Sequence, residues 1–387
     1  MNYLIKLLSI IIAIIIILIK PLVLIRFGKV PSKFGHLSQN LFVEFHKSKK
    51  IKALDLYSVN FNDRDVSNNF LFNLWKKKIN IIPIYRGNFF NKIESYCVKF
   101  SKDDTHSIPR FKIKDHNMLI TYPPIFDCNK IFSQYQKKSI LKKYNIPNDA
   151  KWICINNRDE LFDKLNNDIY LKEHKRKNFS INSYNMMINL AIEKGFYIIR
   201  LGVIAEEKII IENDHIIDLP FSKLRKPEDD IFFISNCYLY FGADSGPWTL
   251  AAMLGKNIAF VNFTEIFFLT ENLYSLSLPF LPSLALDPLT NKYLKFKHYK
   301  KNRIYRSIVN DTFLSPNINF YHHNQNDIKN YFIEILDILN LKKKYDFSTD
   351  QDLFFNNFTN SSNLAYSKSN DLRVSKIIIN NYKELLL

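Results

Sequence analysis

Glycine is scarce in this chain, with 8 residues in 387, and proline is modest at 14. Collagen-like and linker-dominated chains need far more of both, so those classes are excluded. Cysteine is scarce as well. Cys97, Cys128, Cys154 and Cys237 form no CxxC pair and have no histidine cluster beside them, so neither a disulfide framework nor a zinc site is expected. Cys154 and Cys237 lie inside apolar, strand-like runs, where a free thiol behaves as a small hydrophobe, and this usage fits a reducing compartment. Acids are short too. Asp and Glu number 37 against 54 Lys and Arg, a net charge of +17. A balance of that sign favours phosphates, anionic lipid or nucleic acid as partners. The abundance of Lys, Asn and Ile also matches plain compositional drift. Nucleic acid is not expected as a partner, because no basic stretch is interleaved with base-stacking aromatics.

What is present is apolar bulk: 47% hydrophobic residues and 15% aromatics, enough for sizeable cores. The length suits two domains and an appendage. No internal repeat is visible. The one long hydrophobic run is N-terminal. Leu7–Ile19 has Ser9 as its only polar residue, Lys20 and Pro21 interrupt it, and Leu22–Ile25 extend it to Arg26. A spanning helix needs about 20 residues, and a long lysine can snorkel. No A-x-A-like cleavage site follows, so residues 1–27 are expected to be a membrane anchor, either a short span or a re-entrant segment. Lys20, Arg26, Lys29 and Lys33 follow the run and only Lys6 precedes it. That asymmetry places the rest of the chain on the cytoplasmic side of a membrane.

Beyond the anchor, strand and helix patterns alternate. Asp55–Val59 reads as a strand, Ser67 as the cap of a helix to Lys78, and Ile79–Pro83 as the next strand. A first α/β domain is expected over 28–145, with the lysine-rich 134–151 as an inter-domain connection. The second, over 146–345, reads more clearly. Its predicted strands are Trp152–Ile155, Phe196–Leu201, Ile216–Asp218, Tyr238–Phe241 and Ile258–Phe263. Between them lie predicted helices over Ser180–Lys194, from Pro227, and over Gly246–Leu254. Near-continuous apolar strands alternating with helices predict a parallel, doubly wound sheet. A helix is expected over Asp327–Leu341, then a polar tail over 346–387 with a final helix.

In such sheets, ligands bind beyond the carboxyl ends of the strands. Four polar groups fall there: Arg158 with Asp159, Arg200 with Gly202, Asp218, and Asp244-Ser245-Gly246. In the last, a strand turns directly into a helix. Ser245 suits the N-cap, Gly246 permits close approach and Pro247 suits the first turn, so free N–H groups would face an anion. Two arginines on neighbouring strand ends are suited to neutralising a diphosphate. Each feature alone also fits an ordinary capped turn or a surface ion pair.

The sequence resembles a family of bacterial glycosyltransferases encoded with surface-polysaccharide genes, distantly similar to fucosyl- and heptosyltransferases of the GT-B fold. The resemblance covers roughly 24–340. It rests on Arg26–Leu37, on Ile155–Asp159, on Lys177-Asn178 with Ile181 and Tyr184, on Gly195–Gly202, on Ile217-Asp218, and on Phe241–Gly246 with Phe260–Asn262. It implies an α/β, GT-B-like fold with two Rossmann-like domains facing a cleft, the first on the acceptor side and the second binding a nucleotide-sugar. Arg158, Arg200, Gly202, Asp218, Asp244, Ser245 and Gly246 would hold the donor. The acceptor would be a glycan or a lipid-linked glycan. Two positions depart from the pattern: Asn156 stands where a histidine or similar residue is usual, and Lys177 where arginine is usual.

The implied reaction is metal-independent and inverting, with fixed cations stabilising the leaving diphosphate. Asp63-Arg-Asp65 and Asp350-Gln-Asp352 match the short D-x-D pattern of metal-dependent transferases, but three-residue matches arise often by chance. No cofactor or metal is expected. An inverting transferase needs a base for the acceptor hydroxyl. His36 is the first candidate and Asp159 the second, with Glu44 weaker. A non-catalytic membrane scaffold of polysaccharide assembly is a second reading, and it predicts Arg158 and Arg200 paired to internal acids. A nucleotide-sugar epimerase on the same fold is a third.

Overall fold

The computed structural model describes residues 2–59, 66–82, 87–112, 115, 118–165, 175–264, 278–287, 289–301, 319–341, 349–357 and 373–387. The chain divides into two compact units, Met1–Ile125 and Phe126–Leu387.

The first unit holds a parallel three-stranded sheet in the order β1 (Ile25–Lys29), β2 (Leu54–Ser58), β3 (Asn80–Ile82). Helices α1 (Asn2–Leu18), α2 (Phe34–Ser48), α3 (Asn69–Lys76) and α4 (Gly87–Ser101) accompany it. Arg26 occupies the interior of β1 because its register partner on β2 is Asp55. The two form a bidentate pair, Nε to Oδ1 at 2.7 Å and Nη2 to Oδ2 at 2.9 Å, and Nη2 also donates to the Ser48 carbonyl at 3.0 Å. A buried cation needs such matched acceptors. Gly28 has no room for a side chain, since a Cβ there would stand 2.8 Å from Ile108 Cδ1. Asn68, one residue after the expected Ser67, caps α3 by accepting from the Leu71 N–H at 2.9 Å.

The expected membrane helix is corrected. Helix α1 has 17 residues, and among the described residues no helix is long and apolar enough to cross a membrane. Lys20-Pro21 end it: the chain turns there, and Lys20 Nζ donates to Thr105 Oγ1 at 2.9 Å. One face of α1 belongs to the core of this unit, where Ala13 and Ile16 pack with Phe27, Ile93 and Cys97.

The second unit is built on a five-stranded, wholly parallel sheet. The order is β6 (Ile216–Asp218), β5 (Tyr197–Arg200), β4 (Trp152–Asn156), β7 (Leu239–Gly242), β8 (Ile258–Phe260). All five expected strands are present. All residues of β4, β7 and β8 are buried, which accounts for their unbroken apolar runs. The chain winds outward from β4 to β6, then returns to the other side of β4 with β7. The strand order therefore reverses between β4 and β7. A small antiparallel sheet, β10 (Lys292–Tyr293), β9 (Leu284–Asp287), β11 (Asn319–Tyr321), completes the unit.

Two segments differ from expectation. Residues 134–151 contain a helix, Gln134–Lys143, with a reciprocal capping box between Ser133 and Gln136. Lys143 Nζ and the Tyr144 hydroxyl both donate to the buried Asp229 carboxylate at the start of the helix Pro227–Asn236, at 2.6 and 2.8 Å. The segment is thus anchored, because Lys143 and Tyr144 reach an internal acid. Part of the expected polar tail also returns to the core. Val374 bridges Phe280, and Phe354 on the helix Thr349–Asn356 is fully buried. Residues 358–372 lie outside the described residues.

Candidate active site

The five strands are parallel, so their carboxyl ends form one edge. At the reversal point Asn156 is register-paired with Gly242. Asn156 is the hub there. Its Nδ2 donates to Ser245 Oγ at 2.5 Å, its Oδ1 accepts from the Tyr240 hydroxyl, and its carbonyl accepts from the Tyr184 hydroxyl at 3.2 Å. Burial pushes both phenols well above their ordinary pKa, so they remain proton donors. Gly242 makes this packing possible: a Cβ on it would fall 2.6 Å from Asn156 Oδ1 and 2.8 Å from the Asn156 carbonyl. The site therefore needs glycine at the end of β7.

Ser245 stands at the N-cap of the helix Gly246–Met253, as expected, but its hydroxyl makes no capping bond, because the backbone there turns it to Asn156. Asp244, next to it, is buried. Its Oδ2 accepts from Thr264 Oγ1 at 3.1 Å and lies 3.6 Å from Lys177 Nζ. Lys177 reaches this place because its segment runs beside the end of β4. Arg158 and Asn178 form a parallel bridge, and the Phe179 N–H donates to the Arg158 carbonyl at 3.1 Å. The run Lys175-Arg176-Lys177 thus delivers cationic residues to the switch point, and Arg176 is buried. Their signal in the sequence was the basic run itself.

Arg200 ends β5 beside Asp218 on β6. Its guanidinium is buried and committed inward. Nη1 donates to the Glu207 carbonyl at 2.5 Å and lies 3.4 Å from Asp218 Oδ1, while Nη2 donates to Asn157 Oδ1 at 3.0 Å. Burial pulls its pKa down, and Asp218 and Asp159 oppose that pull. Asp218 Oδ2 also accepts from the Ile209 N–H at 3.0 Å. Beside it lies a cavity of about 400 Å³ lined by residues 208–213, Ile216 and Asp218. Gly202 has φ +133°, a conformation that favours glycine, and its N–H donates to the buried Asp230 Oδ1 at 3.0 Å. Asp159, the second candidate base, uses both oxygens on backbone N–H groups: Leu161 at 3.1 Å and Glu206 at 2.9 Å.

Two residues at this edge, His322 and His323, escaped sequence reasoning; the turn after β8 holds the second. Asn262, just after β8, adopts φ +52°, and its Oδ1 accepts from the His323 N–H at 2.9 Å. His323 is held by Asp327 at 3.3 Å and the Pro282 carbonyl at 2.8 Å. His322 lies with Nδ1 3.2 Å from Ser283 Oγ and its ring against Phe179. Burial, with help from His323, lowers its pKa to about 4, so it is neutral at pH 7. Neither histidine belongs to a recognisable spacing pattern, since β11 brings both to the edge from far along the chain.

In the first unit, His36 lies in the first turn of α2, with an exposed edge. Desolvation by its neighbours lowers its pKa, a hydrogen bond with Asn40 works the other way, and Lys33 adds to the lowering. Glu44, two turns on along the same face, is buried. Burial raises its pKa to about 8, against the Phe111 N–H and the nearby Arg110 and Lys47. It is mostly protonated at pH 7. Of the D-x-D matches, Asp63-Arg-Asp65 lies outside the described residues, and Asp350 is paired with Lys383 at 3.0 Å.

No protein-family model matches the chain, and no curated relative matches it. Among solved structures, ADP-heptose LPS heptosyltransferase II of E. coli superposes with a TM-score of 0.35 and 12% identity, over 61% of this chain and 84% of that one. The iron-containing dodecameric glycosyltransferase TibC, from enterotoxigenic E. coli H10407, superposes with a TM-score of 0.30 and 10% identity, over 62% and 58%. Both superpositions are loose, and neither decides an activity.

Proposed function

We propose that this chain is a glycosyltransferase of surface-polysaccharide biosynthesis, moving a sugar from a nucleotide-sugar to a glycan or lipid-linked acceptor with inversion and without a metal. The observation that carries the reading is the convergence of Asn156, Lys177, Asp244 and Ser245 where the strand order reverses. There a diphosphate would meet Lys177, Arg158 and the start of the helix Gly246–Met253, and Asp244 would hold a donor hydroxyl. Arg200 acts one step back, fixing Asn157 and Asp218 along the same edge. Asp218, which lines the cavity beside it, would face the nucleoside.

In the transfer step a general base takes the proton of the acceptor hydroxyl, and His36 is the first candidate that the sequence offers for it. The oxygen then bonds to the anomeric carbon as the bond from that carbon to the diphosphate breaks. The charge left on the diphosphate is the one these fixed cations stabilise. The four cysteines are unpaired, which suits a reaction on the cytoplasmic side.

The test is a thermal-shift screen against nucleotide-sugars. A ligand at 100 times its Kd stabilises by about 2.7 kcal/mol. One donor series should raise the melting temperature, and transfer with that donor should persist in EDTA. Loss of transfer that magnesium restores would refute the metal-free step. The pH profile is a second test. His36 must be neutral to act, and its pKa is lowered, so the rate should hold level through pH 7 and fall only below the ordinary histidine range. An acidic limb above pH 7 would exclude His36 as the base.

One observation favours the scaffold reading: Arg200 is paired to internal acids. That reading predicts no thermal shift with any nucleotide-sugar.

A further inference from the structure

Among the described residues, the outer face of α1 has no counterpart in the fold. Leu4, Leu7, Ile11, Ile15 and Leu18 recur at helical spacing, and Leu22 continues the line in the following turn. Their exposures run from 46 to 89%. The opposite face, through Ser9, Ala13 and Ile16, is closed against α4 and β1. The exposed line is some 25 Å long at the helical rise per residue. It consists of aliphatic side chains alone.

The charge around it selects the partner. Residues 1–43 contain Lys6, Lys20, Arg26, Lys29 and Lys33 and no acid; the first is Glu44. Lys6 is exposed and Lys20 half-exposed at opposite ends of the line, and Lys99 and Lys102 are exposed at the end of α4, near Lys20. Asp103, which pairs with Lys20, and Asp104 are the acids there. A second copy of this face would set lysines against lysines. An anionic lipid surface complements both features, since an apolar ridge enters the acyl boundary while flanking lysines meet the headgroups.

We infer that α1 lies in the plane of an anionic membrane surface, its outer ridge sunk into the headgroup–acyl boundary while its inner face stays on α4. The helix docks without spanning, because crossing would strip Ala13 and Ile16 from the cluster with Phe27, Ile93 and Cys97. This inference stands apart from the transferase reading, which donor binding in lipid-free buffer tests separately.

The experiment is co-sedimentation of the full chain with phosphatidylglycerol-containing vesicles and with pure phosphatidylcholine vesicles. The comparison variant is Ile11→Glu with Ile15→Glu, two exposed positions, its fold checked by circular dichroism. The full chain should pellet with anionic vesicles, bind neutral ones several-fold less, and be released by alkaline carbonate. The double variant should bind about tenfold less or weaker still, given the apolar area lost. Equal pelleting of the variant would overturn the inference, as would resistance to carbonate, which marks a span. So would a lipid-free dimer that the variant dissolves while neither form binds vesicles, which would assign the face to a second copy.

Discussion

Replacing Arg200 by alanine is expected to destabilise the protein strongly before it affects any ligand. Arg200 is 1% exposed, and its guanidinium satisfies the Glu207 carbonyl, Asn157 and Asp218 together. Truncation takes the cation from the Asp218 carboxylate, which keeps the Ile209 N–H, and takes the donor from the Glu207 carbonyl. Breaking one partner of a buried pair typically costs about 3–5 kcal/mol. For a unit of this size that is a fall in melting temperature of roughly 10 °C. Thermal denaturation of Arg200→Ala, of Asp218→Ala and of the double variant gives the coupling. The double variant should cost clearly less than the sum of the two, because the second truncation removes the stranded charge. An Arg200→Ala protein that melts like the parent but no longer binds donor would mean that the guanidinium turns outward to the ligand.

The largest effect on activity is expected at Lys177. Its Nζ is 3.6 Å from Asp244, beside Ser245 and the start of the helix Gly246–Met253, and its side chain is 13% exposed. A fixed cation there offsets charge that grows as the diphosphate leaves, and removing one such group costs about 10²–10³ in kcat. Lys177→Ala should therefore lower kcat by that factor, with a smaller rise in KM, and its melting temperature should move by only a few degrees. Lys177→Arg should recover most of the rate, since the charge returns in a longer side chain. A change confined to KM would make Lys177 a ground-state contact only. An unchanged kcat/KM would remove it from the site.

The strands of the second unit were legible because their apolar runs are nearly continuous and bounded by turn residues. Trp152–Asn156, Tyr197–Arg200 and Leu239–Gly242 were found to within one or two residues of the observed ends. The strand-end positions of Arg158, Arg200, Asp218 and Asp244 followed from the same pattern. The partners of those side chains did not. Arg200 at a strand end suits a ligand contact, whereas Asn157 and Asp218 satisfy it from neighbouring strands. Ser245 was read as a capping side chain, whereas Asn156 takes its hydroxyl. The N-terminal run reads as an anchor because hydropathy and flanking residues cannot register that one face of the helix is covered by α4. Glu44 reads as a weaker candidate base, and only its burial, which the sequence does not show, changes its charge state.

The sequence by itself determined that the second unit is a parallel α/β sheet, which residues stand at its carboxyl edge, and that the N-terminal forty-three residues carry no acid. These properties are local, set by side-chain period, turn chemistry and composition. The tertiary structure alone decided which cations stay at the edge and which are neutralised inside it, and which face of the first helix is left uncovered. Those outcomes depend on contacts between residues far apart in the chain, such as Lys177 with Asp244 and Ala13 with Cys97, and no local pattern encodes such a contact.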